Sequence, residues 1–508
     1  MDPLNASVTA TPAAGGPSAD QPHAGHIVGR GMLALVFSQF ITTPISIVVN
    51  ALLARKLGAS DFGAIYFAIT ALGVWYLFVE WGAHALVAAA IARDRRAAAQ
   101  FFASGMVLRL GLAGVVLIVV PPLSRWMGYG DEVRLALWLV GMKFALQSLG
   151  ALCLTVVRGF EKVHWQAGTT VFANVVEAAL VITALLRGGG LREALIAQVV
   201  AAAIALAVQF WLVLRLDIGA WRPAWGTMRA ILAGGFSFLI LDVVVRLQPF
   251  IDATFLSRLA PPEVLGWYGA ASRISGVLIF PALTLNLALF PTLARLWVAD
   301  RPMYNKIVRL GLRTVAILGV LAATGTALFA PVAVGLIYGN EAYAPAASIL
   351  SVMSVFILLV YGSIVIGPSM AAAGLQWWWC AAQSLCLLVS VVLDPLLIPW
   401  AQRTFGNGGL GVTISIAAAE IAMVSSGLWI LPRGVVDRTL GRTCLRCLIA
   451  AAAMAAIGLP LRDIPILAIP ACVVVYVAVL WLVREVDSDL LTLMPPTLSR
   501  RLRWLQRN

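Results

Sequence analysis

Charge is scarce in this sequence. Of 508 residues only 12% are Asp, Glu, Lys or Arg, against roughly a quarter in soluble proteins. That excludes a water-soluble fold, because there is too little polar surface to cover a chain of this length. Histidine is rarer still, with four in all. The six cysteines are Cys153, Cys380, Cys386, Cys444, Cys447 and Cys472. They contain a lone CxxC, Cys444 and Cys447, with no second pair nearby to complete a zinc site. No GxxxxGK[ST] occurs, which excludes ATP hydrolysis by a P-loop. No cofactor or metal is expected. Long polar segments are missing too. Every loop is short, so none houses a catalytic domain, and the chain is not expected to be an enzyme. A glycosyltransferase or polymerase acting on a polyprenyl-linked sugar would need catalytic carboxylates on sizeable outer loops.

What is present is apolar. Hydrophobic residues make up 61% and mean hydropathy is +0.93. The pattern predicts an all-α polytopic membrane protein with about fourteen spans. These lie at 31–54, 62–83, 101–124, 135–157, 166–186, 194–214, 230–256, 264–294, 314–338, 343–372, 376–400, 408–432, 445–461 and 464–483. Each must be helical, because lipid offers no partner to an unsatisfied backbone group. Ten-residue alternating segments, the mark of a β-barrel, do not occur. Residues 1–30 are rich in Pro, Gly, Ala and Ser and read as a disordered cytoplasmic tail. They lack the basic start and apolar region of a signal peptide. Residues 486–508 read as a basic cytoplasmic tail.

The net charge of +13 fits positive cytoplasmic loops and contact with anionic membrane lipid better than nucleic acid. With both termini inside, 23 of the 36 Lys and Arg residues fall on inner segments and 9 on outer loops. This predicts an N-in, C-in topology.

A shift of 202 residues aligns the chain with itself. Lys56 meets Arg258, Leu57 meets Leu259, Asp61 meets Glu263, Tyr66 meets Tyr268 and Arg93 meets Arg295. The first and second spans thus repeat in the seventh and eighth. Six spans, an even number, separate the copies, so both have the same orientation. Parallel repeats are a transporter architecture.

The stretch LLARKLGASDFGAIYFAITALGVWYLFVEWG resembles the first-to-second-span region of polysaccharide flippases. These belong to the multidrug/oligosaccharidyl-lipid/polysaccharide (MOP) exporter superfamily. YGAASRISGVLIFPALTLNLALFPTLARLW resembles their eighth span. LIYGNEAYAPAASILSVMSVFILLVYGSIVIGPSMAAAG resembles their ninth-to-tenth region. The resemblance implies two six-helix lobes, here 31–216 and 228–432, followed by two further helices within 443–485. It implies a central cavity lined by spans 1, 2, 7 and 8. It also implies alternating access that moves an undecaprenyl-diphosphate-linked oligosaccharide to the outer leaflet of a bacterial inner membrane. Such a unit serves exopolysaccharide or O-antigen synthesis, with a polysaccharide polymerase as a partner. A flippase for a peptidoglycan precursor and a cation-coupled multidrug exporter are the alternatives within the superfamily.

An ionisable group at mid-span costs about 2.5–3.5 kcal/mol on insertion scales, so each invites an explanation. Arg246 and Arg273 are the leading candidates. They lie about 15 Å and about 14 Å from the outer ends of their spans, at 1.5 Å per residue. Two guanidiniums at one depth suit a diphosphate through forked hydrogen bonds. The competing role for Arg246 is pairing with Asp242 one turn earlier, which makes Asp242 a latch candidate. Arg109 and Lys143 are expected either to extend a cationic cavity or to snorkel to an interface. Glu80, four residues before His84, and Asp252 are candidate coupling carboxylates; a polar pair at the headgroups is the plainer reading of Glu80 and His84. Glu177, Asp394 and Glu420 are expected to pack. Gln39 and Asn50 are polar positions for the cavity. Pro44 and Pro249 are candidate hinges.

Overall fold

A computed structural model describes residues 21–339 and 341–485, with side chains from 37 onward except those of 241 and 284–288. Among the described residues there is no strand. The α-helices are α1 (Gln21–Glu80), α2 (His84–Arg93), α3 (Ala98–Trp126), α4 (Asp131–Gly159), α5 (Val163–Leu186), α6 (Leu191–Leu214) and α7 (Trp225–Leu259). They continue as α8 (Pro262–Ala299), α9 (Arg301–Tyr338), α10 (Ala344–Ala372), α11 (Gln376–Phe405), α12 (Gly408–Ile430), α13 (Arg438–Leu461) and α14 (Pro465–Leu482).

Eleven helices among the described residues are long and apolar enough to cross a membrane, or up to twelve with the bent α7. One of these, Phe37–Arg93, runs for 57 residues and holds the second expected span together with the first from residue 37 on. They part at Gly58, whose φ of 81° and ψ of 175° lie outside the helix. Glycine takes that φ without a Cβ clash. The α7–α8 link at Ala260 and Pro261 follows Gly58 by the same 202-residue shift seen in the sequence. The eighth expected span lies within α8.

Residues 21–30, the described part of the expected N-terminal tail, are helical. Residues 1–20 and 486–508 of the expected tails lie outside the described residues. The break in α1 falls at Gly58, not at Pro44, which stays inside the helix. In α7 a 54° bend separates Trp225–Ile240 from Asp242–Leu259 and precedes Pro249.

The chain divides into two compact units. The first comprises the described residues up to Leu57 together with Ala64–Arg246; the second comprises Gly58–Gly63 and the described residues from Leu247 on. The first part of α7 packs with the first unit. The Trp81 indole Nε1 donates to the Leu232 carbonyl at 2.8 Å. Trp81 itself has φ 52°, uncommon for a bulky residue and held in place by that bond. A Cβ on Gly235 would lie 2.2 Å from the Trp81 carbonyl oxygen.

In the first unit α4 packs on α2, α3, α5 and α6. Ile91, Phe102, Leu152, Cys153 and Val156 form a core there. In the second unit α10 packs on α8, α9, α11 and α12, while α13 and α14 pack on α9. Apolar burial drives association weakly in lipid, so close packing and interhelical hydrogen bonds take over. Buried tyrosines supply the bonds. Tyr304 of α9 donates to the Ser369 carbonyl at 2.7 Å, Tyr361 of α10 to Leu278 at 2.7 Å, and Tyr476 of α14 to Ile317 at 2.9 Å.

The turn after Gly58 docks on α8 backbone to backbone. A Cβ on Gly63 would lie 2.9 Å from the Gly266 nitrogen, and one on Gly266 would lie 2.0 Å from the Ala59 carbonyl oxygen. Gly266→Ala is expected to destabilise the protein by about 1–3 kcal/mol through overpacking. Gly276→Ala, with nothing within 4 Å of the added Cβ, is expected to be neutral or slightly stabilising. Thermal unfolding of the two variants in detergent checks the contrast.

Between α12 and α13, Asp437 caps α13 by accepting from the Thr439 and Leu440 backbone N–H groups and pairs with Arg309 at 2.9 Å. Burial pushes its carboxyl up. The Thr439 hydroxyl, the Leu440 N–H and Arg309 outweigh that and hold it below the usual carboxylate range.

Candidate functional site

The first unit holds a connected polar cluster. His84, at the start of α2, places Nε2 3.4 Å from Glu80 Oε2. Its Nδ1 lies 3.1 Å from Thr155 Oγ1 on α4 and 3.4 Å from Arg109 Nη2 on α3. Arg109 is buried at 4% exposure, and its Nη1 donates to the Ser148 carbonyl of α4. Arg109 therefore does not snorkel. The Glu80 carboxylate lies within Coulomb range of both Arg109 and Arg246. Arg246, the last residue of this unit, is exposed on α7. Among the described residues neither it nor Asp242 forms a side-chain hydrogen bond or an ion pair. The structure thus does not pair Asp242 with Arg246.

Lys143 is fully engaged elsewhere in the unit. Its Nζ donates to Glu177 Oε1 at 2.6 Å and to Gln198 Oε1 at 2.8 Å, tying α4 to α5 and α6. Glu177, expected to pack, is the counter-charge. On α1, Gln39 is exposed, and the Asn50 amide donates back to the Ser46 carbonyl at 2.8 Å.

The second unit holds Arg273 half-buried on α8. Its Nε is buried and has no hydrogen-bond partner. Its charge acts on Tyr338, whose ring stacks on that of Tyr343 at 5.2 Å and whose hydroxyl donates to the Ala270 carbonyl at 3.0 Å. A buried guanidinium N–H without an acceptor is costly unless a ligand supplies one.

Deeper in the same unit, Asp252 of α7 and Asp394 of α11 are buried at 1% and 0% exposure. The two carboxyl groups come within hydrogen-bonding reach of each other, yet Asp252 Oδ1 and both Asp394 oxygens find no donor. Ionised carboxylates only accept, so a bond between them needs one proton. The Ser415 hydroxyl of α12 lies beside Asp394. Nearby, Gln248 of α7 donates to Ser390 Oγ of α11 at 3.1 Å, and Glu420 accepts from Ser363. From the sequence, Asp394 is expected to pack. Its signal was present, a carboxylate inside an apolar run, but its partner lies 142 residues away and only the fold joins them. Among the described residues no group of three or more His, Cys, Asp or Glu is arranged to hold a metal ion, and all six cysteines are free.

A chain whose described residues form apolar helices joined by short connections, and that keeps guanidinium and carboxyl groups inside those helices, belongs to the class of polytopic membrane transporters. The profile of the family described as "Polysaccharide biosynthesis protein" matches residues 28–297, slightly more than half of the chain. The chain belongs to this family and, with it, to the polysaccharide flippases of the MOP superfamily. A probable low-salt glycan biosynthesis flippase, Agl15 of Haloferax volcanii, is 20% identical over 401 residues, covering 77% of this chain and 81% of its own. Among solved structures, the lipid II flippase MurJ in an inward closed conformation matches with a TM-score of 0.72 at 15% identity, over 89% of this chain and 99% of that one. An inward-facing multidrug resistance MATE family transporter of the MOP superfamily matches with a TM-score of 0.64 at 17% identity, over 81% and 98%. At these identities the two structures share the fold.

Proposed function

We propose that this protein flips an undecaprenyl-diphosphate-linked oligosaccharide from the cytoplasmic to the outer leaflet of a bacterial inner membrane, by alternating access and without catalysing a reaction. The unit serves exopolysaccharide or O-antigen synthesis. The reading rests on the flippase family and on one observation, the buried Arg273 Nε that lacks an acceptor. Arg273 supplies a guanidinium fork for the diphosphate, and Arg246 is a second candidate for contact with the anionic cargo. An anionic cargo suits them, whereas a cationic drug calls for acidic groups instead. Lys143 is neutralised by Glu177 and is left to structure. The bias of basic residues towards one side supports termini in the cytoplasm.

The buried pair of Asp252 and Asp394 is the coupling site in this reading. It takes up and releases one proton as the protein cycles. Asp252→Asn and Asp394→Asn are each expected to reduce transport at least tenfold and to abolish its acceleration by a proton gradient. Counterflow across vesicles with and without an imposed pH difference checks this. In cells, loss of the protein is expected to leave lipid-linked repeat units on the cytoplasmic leaflet, shown by their inaccessibility to an external glycosidase. Normal export from the deletion strain would overturn the proposed function.

A further inference from the structure

We propose that His84 is a proton-binding site in the first unit that holds or releases the Arg109 guanidinium according to its own protonation. The geometry of three bonds points to this. Thr155 has one hydroxyl proton, and it goes to the Ala151 carbonyl at 2.8 Å. Towards His84, therefore, Thr155 Oγ1 only accepts. Arg109 has only donors. His84 Nδ1 thus lies between an acceptor, Thr155 Oγ1 at 3.1 Å, and a donor, Arg109 Nη2 at 3.4 Å. It serves one of them at a time.

A neutral imidazole with its proton on Nε2 donates to Glu80, 3.4 Å away, and accepts from Arg109 through Nδ1. Arg109 is then fixed at both ends of its fork, by His84 and by the Ser148 carbonyl. Adding a proton to Nδ1 turns an acceptor into a donor. The imidazolium keeps Glu80, donates to Thr155, and repels Arg109. One Arg109 nitrogen is released and retains its charge. The opposite neutral tautomer, with Nδ1–H, would set the bare Nε2 against the Glu80 carboxylate, two acceptors face to face, and is disfavoured.

The surroundings keep this switch local. Glu80 of α1, Arg109 of α3 and Thr155 of α4 face the ring. Cys153 of α4 lies within Coulomb range of Arg109, and Arg246 of α7 acts on Glu80. At the far end of α2, Arg95 stacks over the Phe160 ring at 5.4 Å, and Arg96 follows it. Histidine is the side chain whose ordinary range brings such a change within physiological pH. The released guanidinium fork suits a phosphate oxygen of the proposed cargo. That use rests on the function proposed above; the proton site does not.

The first test is therefore independent of transport. In purified full-length protein with 15N-labelled histidine, the resonances lost in His84→Gln identify His84. The neutral form is expected to be the Nε2–H tautomer, and the imidazolium is expected to carry a proton on Nδ1 as well. In Arg109→Gln the neutral form is expected to lose that strict preference. A neutral Nδ1–H tautomer in the wild type, or a ring that takes up no second proton, would overturn the proposal. The second test is transport of lipid-linked oligosaccharide against pH. The wild type is expected to show a step that His84→Gln flattens; an unchanged step in that variant would equally overturn it. Absence of transport at every pH would count against the flippase reading and leave the NMR result to decide the proton site.

Discussion

Arg273→Ala is expected to abolish transport while leaving the amount of protein in the membrane unchanged. The reason lies in what the guanidinium already has. Its Nε is buried and makes no hydrogen bond, and none of the described ion pairs includes it, so removing it breaks no stabilising bond of the protein. A structural arginine behaves in the opposite way: its loss strands a carboxylate and lowers expression. Arg246→Ala is expected to give the same phenotype, at least a hundredfold loss, since Arg246 is exposed and likewise carries no ion pair. Lysine at either position is expected to restore only part of the activity, because a point charge lacks the bidentate fork. Asp242 provides the control. It does not pair with Arg246 here, so the double variant Asp242→Asn with Arg246→Ala is expected to stay inactive. Recovery of transport in that variant would assign Arg246 to charge neutralisation instead. Transport per molecule of membrane-inserted protein is the quantity to measure.

Glu485→Ala is expected to have the largest effect on stability. Glu485 follows α14 and is 1% exposed. Its Oε1 accepts from Arg313 Nη2 of α9 at 2.8 Å and from Thr443 Oγ1 of α13 at 2.5 Å, and its Oε2 from Arg446 Nη1 at 2.9 Å. One carboxylate thus ties three helices together. Removing it takes this carboxylate away from the Arg313 charge, which is 12% exposed. Breaking a buried pair on one side costs about 3–5 kcal/mol. Arg446 is a third exposed and adds little. The pair of Asp131 and Arg134, where Asp131 is 86% exposed, sets the contrast, with about 1 kcal/mol or less expected from Asp131→Ala. Thermal unfolding and protease cleavage between α12 and α13 read both variants.

The spans were legible in the sequence because lipid demands long, charge-poor helices, and composition alone records that. The polar bonds between helices were not. Asp252 and Asp394, Lys143 and Glu177, and Arg313 and Glu485 are each far apart in the chain, and periodicity carries no information about which face meets which. Glu80 and His84 were found together because i,i+4 spacing is local. Their link to Arg109 required α3 to pack beside α2. The bends at Gly58 and before Pro249 escaped for a related reason. Proline advertises a lost hydrogen bond, but a neighbouring helix decides whether the backbone bends there. The docking of Gly63 on Gly266 left only a small residue at each position, one of 44 glycines in the chain.

The central claim is tested most directly in sealed vesicles containing the purified protein and a fluorescent polyprenyl-diphosphate-linked oligosaccharide. Reduction of the fluorophore from outside by a membrane-impermeant agent reports how much lipid has crossed. The account predicts complete reduction with wild-type protein, and about half, the outer leaflet alone, both with Arg273→Ala and in empty vesicles. Complete reduction with Arg273→Ala, or protection of half the lipid with wild-type protein that still moves cationic drugs, would contradict it.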